Sequence, residues 1–440
     1  MLADIFSIVV LFLREWWWLI LPLILYPAAK NLYLYWIGWE IFYRRGIDKD
    51  WGLFEIIPPS EIEKPFKAME DIFTRLWPIY DGPCWRERWC GGEFPSAFWF
   101  SFEIVSIEGK VHFYIRIQKK ARATLETAIQ THYPEAEIIE VEDYTLKVPQ
   151  DVPNRKYEMY GEDYKYWLDE VMPIKTYEYF ESSFPESIPG EKKMDPIYSL
   201  LEHLTKLRQG EQFWVQAVCA PVTNKEIPWV DMIKDRINKE VGRKANEKPR
   251  SIVSQILGLL FFGKPLAVEK AAESVIPPEM HLTPGEKETV ADLEKKKGKY
   301  GFKVWMRTVY LAEREKYFSP NGKIFRGYLS HFVSAGNFIM FWSKTRPRLQ
   351  YFFRRRREYK RKRDIFEKYV KRLPPKYPNI VEGTSILSTQ ELASLFHFPL
   401  KASNLPPGVP RVVVRKRDLP PGVPLESAGQ KAEDKQAKNI

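Results

Sequence analysis

One stretch of the sequence comes close to a nucleotide-binding motif. Residues 258–264, GLLFFGK, match the first seven positions of the phosphate-binding pattern GxxxxGK(S/T). The eighth position is Pro265, which lacks the hydroxyl that binds Mg²⁺ and disfavours a helical backbone at Lys264. The residues between the two glycines are also bulky and apolar, where the loop backbone must approach the phosphates. The stretch therefore predicts a buried or membrane-contacting helix and no ATP site.

Histidines and cysteines form no catalytic or metal-binding pattern. Cys84 and Cys90 share the loop CWRERWC, but no nearby histidine completes a tetrahedral site. Six histidines show no ligand spacing such as HxxxH: His112, His132, His203, His281, His331 and His397. A nucleophile elbow, a glycine fingerprint and a paired-acid motif are also absent from the sequence. We expect no enzymatic activity, no metal and no cofactor, and free thiols at both cysteines and at Cys219.

The strongest functional signal is a basic segment. Residues 344–372 carry 14 Lys or Arg against three acidic residues, a net charge of +11, which equals the net charge of the whole chain. The charge balances elsewhere, so the pattern indicates one localised basic element. The predicted binding residues are its densest part: Arg354, Arg355, Arg356, Arg357, Lys360, Arg361, Lys362 and Arg363.

Three interpretations of this basic segment remain open. Its residues contact the phosphate backbone of DNA, or anionic lipid headgroups, or they form a solvated arm that faces a protein partner. Aromatic residues are interleaved with the charges: Phe352, Phe353, Tyr359, Phe366 and Tyr369. The sequence fixes the charge of the segment but not its ligand.

The N-terminal segment predicts a membrane anchor. Residues 5–26 form an apolar run of 22 residues, which as a helix is long enough to cross a bilayer. Two features weaken this span. Placing a charged pair at the middle of the membrane costs a few kcal/mol, and tryptophans prefer the headgroup boundary. The segment therefore spans the membrane or breaks and lies in the interface. The residues concerned are Arg14, Glu15, Trp16, Trp17 and Trp18.

Flanking charges predict the orientation of this anchor. No basic residue precedes the apolar run, whereas Lys30, Arg44, Arg45 and Lys49 follow it. Basic residues mark the cytoplasmic side of a span. We therefore expect a single-pass protein of the cell membrane whose C-terminal body is cytoplasmic.

The body begins with a βαββαβ order of elements. A Ser60–Glu63 capping box starts the first helix, and Glu108–Gly109 forms a tight hairpin. This order is that of a ferredoxin-like unit. The predicted elements are a strand at 51–57, a helix from 60 to about 77, strands at 97–107 and 110–118, a helix at 120–132 and a strand at 136–144.

A second unit repeats this order with an insertion at about 225–298, between its middle strands. Its elements are a strand at 173–181, a helix at 195–207, strands at 212–222 and 301–312, a helix at 322–334 and an apolar run at 337–342. The predicted fold class is therefore α+β: an N-terminal transmembrane helix, two ferredoxin-like units, the second with a helical insertion, then a basic helix and a disordered tail.

This organisation predicts six regions. A Ser388–Glu391 capping box starts the last helix, and the tail repeats LPPGVP, which is typical of a linker. The regions are a membrane anchor with a juxtamembrane helix at 1–45, ferredoxin-like units at 50–145 and 170–342, a basic helical arm at 343–373, a short helical segment at 374–404 and a Pro-rich disordered tail at 405–440.

Five blocks of the sequence carry a resemblance to a known family, namely 99–144, 194–204, 213–222, 282–312 and 386–399. They resemble the N-terminal, non-motor region of bacterial type IV secretion and conjugative DNA-transfer ATPases, and the likeness covers most of residues 50–424. In fused members a RecA-like motor begins after a segment that resembles 410–424, whereas this chain ends there.

The resemblance implies an accessory or scaffold component without the motor. Such a protein would position a separate HerA/FtsK-type ATPase at the cytoplasmic face of the membrane, contact DNA and form a homo-oligomer. The alternative is a structural or lipid-associated membrane protein with no nucleic-acid role. Co-purification with a motor protein that lacks its own N-terminal region would favour the first.

Overall fold

The structure is a computed structural model. It describes residues 15, 18, 21–22, 25–33, 36, 50–59, 65–80, 82, 99–182, 195–225, 227–242, 282–334, 336–342, 345, 351–373, 385–399 and 408–410. Within these residues the strands join into one nine-stranded sheet with antiparallel pairing throughout. They are β1 (Trp51–Ile57), β2 (Phe100–Ile107), β3 (Lys110–Gln118), β4 (Glu137–Val141), β5 (Tyr157–Tyr166), β6 (Glu211–Val222), β7 (Gly301–Glu313), β8 (Ile339–Trp342) and β9 (Ser385–Ser388).

The strand order repeats on the two sides of this sheet. It is β4-β1-β3-β2 in the first half and β8-β5-β7-β6 in the second, while β9 pairs with β7. In each half the fourth, first, third and second strands follow one another, which is the order of a βαββαβ ferredoxin-like unit. The second strands of the two halves, β2 and β6, pair at the centre, with Glu103 opposite Gln216. The two units therefore share one continuous sheet.

Helices cover both faces of the sheet. In the described chain they are α1 (Pro65–Leu76), α2 (Arg122–His132), α3 (Tyr177–Ser182), α4 (Ile197–Thr205), α5 (Trp229–Glu240), α6 (Pro284–Lys297), α7 (Ile324–Leu329), α8 (Arg354–Val370) and α9 (Thr389–Leu395). The apolar stripes of α1, α2, α4, α7 and α9 pack on one face and form the largest core. Only α8 among these helices contributes to the core on the opposite face.

The predicted transmembrane helix is not found among the described residues. Glu15, Trp18 and residues 25–33 are helical and exposed, but no helix of the described chain is long and apolar enough for a membrane span. Among the described positions, Glu15 places a charge within the apolar run, and Lys30 and Asn31 follow its C-terminal end. The prediction of a single-pass protein of the cell membrane with a cytoplasmic body is therefore wrong, as is the transmembrane part of the fold class. Arg14, Trp16 and Trp17 lie outside the described residues.

One predicted strand is also wrong. The run at 173–181 was expected to open the second unit, but Tyr177–Ser182 is helix α3 and the first strand of that unit is β5. Charged residues in β5, among them Glu162 and Asp163, hide its strand character in the sequence. Glu162 is fully buried and accepts hydrogen bonds from Tyr164 and Arg326, which compensate the cost of burying its charge.

The predicted insertion contains helices where the structure describes it. Helices α5 and α6 pack on each other through Trp229, Ile233 and Leu293. Residues 243–281, which include the GLLFFGK stretch, lie outside the described residues, as do Cys84, Cys90, the Ser60–Glu63 capping box and most of the tail.

Candidate nucleic-acid interface

Helix α8 lies on the sheet with only its C-terminal half. Ile365, Phe366 and Tyr369 are buried in the core on that face. The ring centroid of Trp214 on β6 lies 5.3 Å from that of Tyr369 and 6.2 Å from that of Phe366. These apolar positions occur at i, i+1 and i+4, and no comparable stripe exists between Arg354 and Arg363. The sequence of α8 therefore fixes one half of the helix to the body and leaves the other half free.

A buried ionic network holds the C-terminal end of α8. The Arg372 guanidinium donates to both carboxylate oxygens of Glu103, at 2.8 and 3.1 Å, and to Asp143 at 3.0 Å. Tyr144 Oη and Gln216 Nε2 donate to the same Glu103 carboxylate at 2.7 and 2.9 Å. Burial alone would lower the pKa of Arg372, but the charges of Glu103 and Asp143 outweigh burial and raise it well above its usual value. The arginine is therefore a permanent cation in this network.

The last turn of α8 is closed by a Schellman motif. The amide of Leu373 donates to the carbonyl of Lys368 at 3.2 Å, and the amide of Arg372 donates to that of Tyr369 at 3.0 Å. Arg372 has a φ of +51°, a left-handed conformation in which glycine is usual. Arg307 on β7 donates to the carbonyls of Lys368 and Leu373, at 2.7 and 3.0 Å. Arg307 is therefore a second donor to the Lys368 carbonyl and also holds the Leu373 carbonyl just beyond the end of the helix.

The eight predicted binding residues fall into two groups. Arg354, Arg355, Arg356 and Lys360 are exposed and make no hydrogen bond or ion pair with the described chain. Arg361 is also exposed. Lys362 and Arg363 contact the body: Lys362 lies 2.8 Å from Glu158, and also from Glu358 of its own helix, and Arg363 donates to the Gln150 carbonyl at 2.9 Å. Arg357 donates to the carbonyl of Tyr351, in the turn before the helix. The sequence could not distinguish these groups, because Gln150 and Glu158 are distant in the chain.

Two further basic residues lie beside the free half of α8, which we define as residues 354–361, the part of the helix that buries no apolar side chain against the sheet. Arg155 and Arg314 line an open groove with Tyr359, together with Asp151 and Asn154. Arg314 is held in place by Glu158 at 3.2 Å and by the Asn154 carbonyl at 2.9 Å. Arg155 is exposed. Nothing in the sequence pointed to these arginines, because each occurs singly and far from the basic segment.

The buried polar groups elsewhere do not form an accessible site. His397 Nε2 lies 2.8 Å from Asp195 Oδ1, and both side chains are 0% exposed, so no substrate reaches them. His112 Nδ1 lies 2.6 Å from Glu55 at the sheet. Cys219 is buried, and burial raises the pKa of its thiol. No group of three potential metal ligands occurs among the residues with described positions.

In the ranges that it describes, the structure is thus α+β, with one antiparallel sheet and a basic helix that is only half docked. A family model named Domain of unknown function (DUF8128) matches residues 86–406. This match covers nearly three quarters of the chain, and the chain belongs to that family. No curated protein matches the chain. Neither finding names a secretion system or an ATPase, so the resemblance to the non-motor region of DNA-transfer ATPases stays a prediction.

Proposed function

We propose that this protein is a non-enzymatic accessory component of a DNA-translocation machine, and that it binds nucleic-acid phosphates through the free half of α8. One observation carries the binding proposal. Arg354, Arg355, Arg356 and Lys360 are exposed and have no ion-pair partner among the described residues, on a helix whose other half is fixed to the sheet. A protein that keeps unpaired cations on a rigid support has them ready for phosphate groups without first breaking ion pairs.

The shape of the free half supports a phosphate ligand. Eight helical residues extend about 12 Å, and the width of an α-helix fits the major groove of duplex DNA. Basic residues occur on all sides of the helix, with Glu358 as the single acidic residue between 354 and 363. Neutralising several phosphates releases their condensed counterions, which drives binding without regard to base sequence. The expected interaction is therefore electrostatic and sensitive to salt.

A lipid ligand is less consistent with this helix. Helices that lie in the membrane interface place an apolar stripe in the lipid and keep their charges on the opposite side. Between residues 354 and 363, Tyr359 is the only large apolar side chain. Residues 354–363 themselves therefore offer no apolar stripe to the lipid, and the apolar surface beside them is confined to the three residues before the helix, 351–353.

The resemblance to DNA-transfer ATPases supports the wider context of the proposal. A separate HerA/FtsK-type ATPase would supply the motor, and this chain would act as a scaffold, as a homo-oligomer, that positions it on DNA. Co-purification with that ATPase tests the scaffold role. Failure to co-purify under mild conditions would contradict the scaffold role and leave the binding proposal to its own test.

The binding proposal is tested by fluorescence anisotropy with the full chain and a labelled duplex of about 20 base pairs over a series of salt concentrations. The test variant removes the four unpaired charges: Arg354→Ala, Arg355→Ala, Arg356→Ala and Lys360→Ala. Alanine favours helix, so α8 should persist. We expect weaker binding and a salt slope lower by about 3 to 4, since each phosphate contact contributes about 0.9.

A charge-matched control separates local contacts from net charge. It removes four exposed lysines elsewhere: Lys110→Ala, Lys120→Ala, Lys225→Ala and Lys287→Ala. We expect this control to bind duplex DNA with nearly the wild-type slope. Equal losses in both variants would overturn the proposed site, and so would binding to anionic vesicles with none to DNA.

A further inference from the structure

The most exposed large apolar side chains of the described residues adjoin the free half of α8. Tyr351, Phe352 and Phe353 have 74%, 86% and 78% of their surface exposed, and the next most exposed is Leu32 at 71%. We name these three residues the aromatic tip. Exposing this much apolar surface to water is unfavourable. The proposed contacts between the basic residues and phosphates do not involve the three rings. The aromatic tip therefore requires an explanation that the arginines alone do not give.

The backbone of the aromatic tip holds the rings outward. Phe352 and Phe353 have φ values of +43° and +49°, a left-handed conformation that L-residues seldom adopt and that is concentrated at functional sites. Two hydrogen bonds tie the tip to the first turn of α8. Arg357 donates from its side chain to the Tyr351 carbonyl and from its amide to the Phe353 carbonyl. The exposed rings are thus part of an ordered turn.

Cations lie directly beside the rings. Phe352 and Phe353 line an open groove with Arg356, Arg357 and Lys360. Arg356 and Lys360 are exposed and form no ion pair with the part of the chain that the structure describes. Proteins that bind single-stranded nucleic acids combine these same two features, namely a cationic groove for the backbone and aromatic rings on which unpaired bases stack.

We propose that the aromatic tip binds single-stranded nucleic acid, with Phe352 and Phe353 stacking on unpaired bases while Arg356 and Lys360 contact the phosphates. This inference rests on the proposed function, because it names the form of nucleic acid that the same site prefers. A regular duplex stacks its bases internally and offers the rings no face. An apolar wedge that forces a duplex open must overcome the stacking of a base step. Phe352 and Phe353 are so exposed that few neighbouring side chains support them as a wedge. We therefore expect them to stack on bases that are already unpaired.

The test compares a labelled dT strand of about 20 nucleotides with a duplex of the same length, using the full chain. Phe352→Ala/Phe353→Ala should weaken binding of the dT strand about tenfold or more and change duplex binding less than about twofold. The conservative variant Phe352→Tyr/Phe353→Tyr keeps aromatic rings and should bind the strand within about threefold of wild type. A matched control, Leu168→Ala/Phe318→Ala, removes two apolar residues that are 54% and 57% exposed and should leave both affinities unchanged.

The outcomes distinguish this inference from the proposed function. If the charge variant loses affinity while the Phe352→Ala/Phe353→Ala variant binds strand and duplex as wild type does, phosphate binding stands and base stacking is wrong. If wild type binds neither nucleic acid, both proposals are wrong. If the Phe352→Ala/Phe353→Ala variant loses binding to anionic vesicles but binds the dT strand as wild type does, the inference is also overturned and the rings are lipid contacts.

Discussion

Arg372 and Glu103 form a two-point ion pair between residues 269 positions apart in the chain, with N–O distances of 2.8 and 3.1 Å. Their side chains are 1% and 0% exposed. The desolvation cost of such a buried pair can equal or exceed its attraction, so the main contribution of this pair is to specify one position for the end of α8. Because the free half of α8 continues from this fixed end, the pair also sets the orientation of the candidate interface.

Removing one partner of this pair should destabilise the fold strongly. Arg372→Ala leaves the Glu103 carboxylate buried without its cation, and we expect the free energy of unfolding in urea to fall by about 3 to 5 kcal/mol. Lys371→Ala is the control, because Lys371 pairs with Glu367 on the surface and such pairs contribute little. A loss of less than about 1 kcal/mol for Arg372→Ala would show that Glu103 is in contact with water.

The left-handed backbone at Arg372 leads to a second prediction, which concerns the relative stability of glycine and alanine at this position. Arg372→Gly loses the same ion pair as Arg372→Ala, but glycine adopts a φ of +51° without the steric penalty of a Cβ atom. The glycine variant should therefore be more stable than the alanine variant by about 1 kcal/mol, measured by urea unfolding. At Lys371, where φ is −79°, the order should reverse, since glycine has only its entropic disadvantage there. The same order at both positions would contradict a left-handed Arg372.

Local signals predicted the parts of the fold that depend on neighbouring residues. The Glu108–Gly109 turn is a hairpin in which both residues have positive φ, +54° and +83°, as two-residue loops require. The Ser388–Glu391 capping box is present at the start of α9. Strand β5 was missed because its buried charges are neutralised by residues far along the chain, such as Arg326 for Glu162.

The candidate site was predicted only as a block of charge. The sequence identified the basic residues of α8, but the division into free and docked halves depends on contacts with Glu158 and Gln150. Arg314 joins the site through a groove formed by separate loops. Such relationships arise from chain packing between distant segments, and neither periodicity nor composition contains them.

Acid should destabilise the protein through Glu70 on α1. Burial alone would raise the pKa of Glu70, but hydrogen bonds from Lys299 and Tyr177, both at 2.6 Å, and from Lys67 outweigh burial and lower it below 4.5. A carboxylate whose pKa is lower in the folded state stabilises the fold above its unfolded pKa, and this stability is lost as pH falls through the folded value. The free energy of unfolding should therefore decrease below about pH 4.5.

The variant Glu70→Gln isolates this contribution. Glutamine keeps the size of the side chain but does not titrate, so the variant should be less stable than wild type at pH 7 and the difference should shrink towards pH 3. Urea unfolding at several pH values measures this difference. The matched control is Glu126→Gln, at an exposed ion pair with Arg122, for which we expect little pH dependence. A constant difference between wild type and Glu70→Gln across the range would contradict the assignment.

A second buried ion pair, Lys296 with Glu391, should show strong coupling between its partners. The Lys296 ammonium lies 3.0 Å from Glu391, and the side chains are 2% and 1% exposed. Burial lowers the pKa of Lys296, although Glu391 opposes this. Lys296→Met leaves the carboxylate buried without a cation and should lower the free energy of unfolding by about 3 to 5 kcal/mol.

The double variant Lys296→Met/Glu391→Gln should recover much of that loss. It leaves no buried charge, and glutamine at 391 keeps an acceptor for Tyr166 Oη and the amides of Ile174 and Ser388, which donate to Glu391 in the native protein. A double-mutant cycle in urea should therefore give a coupling energy of at least about 1 kcal/mol. Additive losses in the two single variants would instead show that water solvates each charge independently and would contradict a buried Lys296–Glu391 pair.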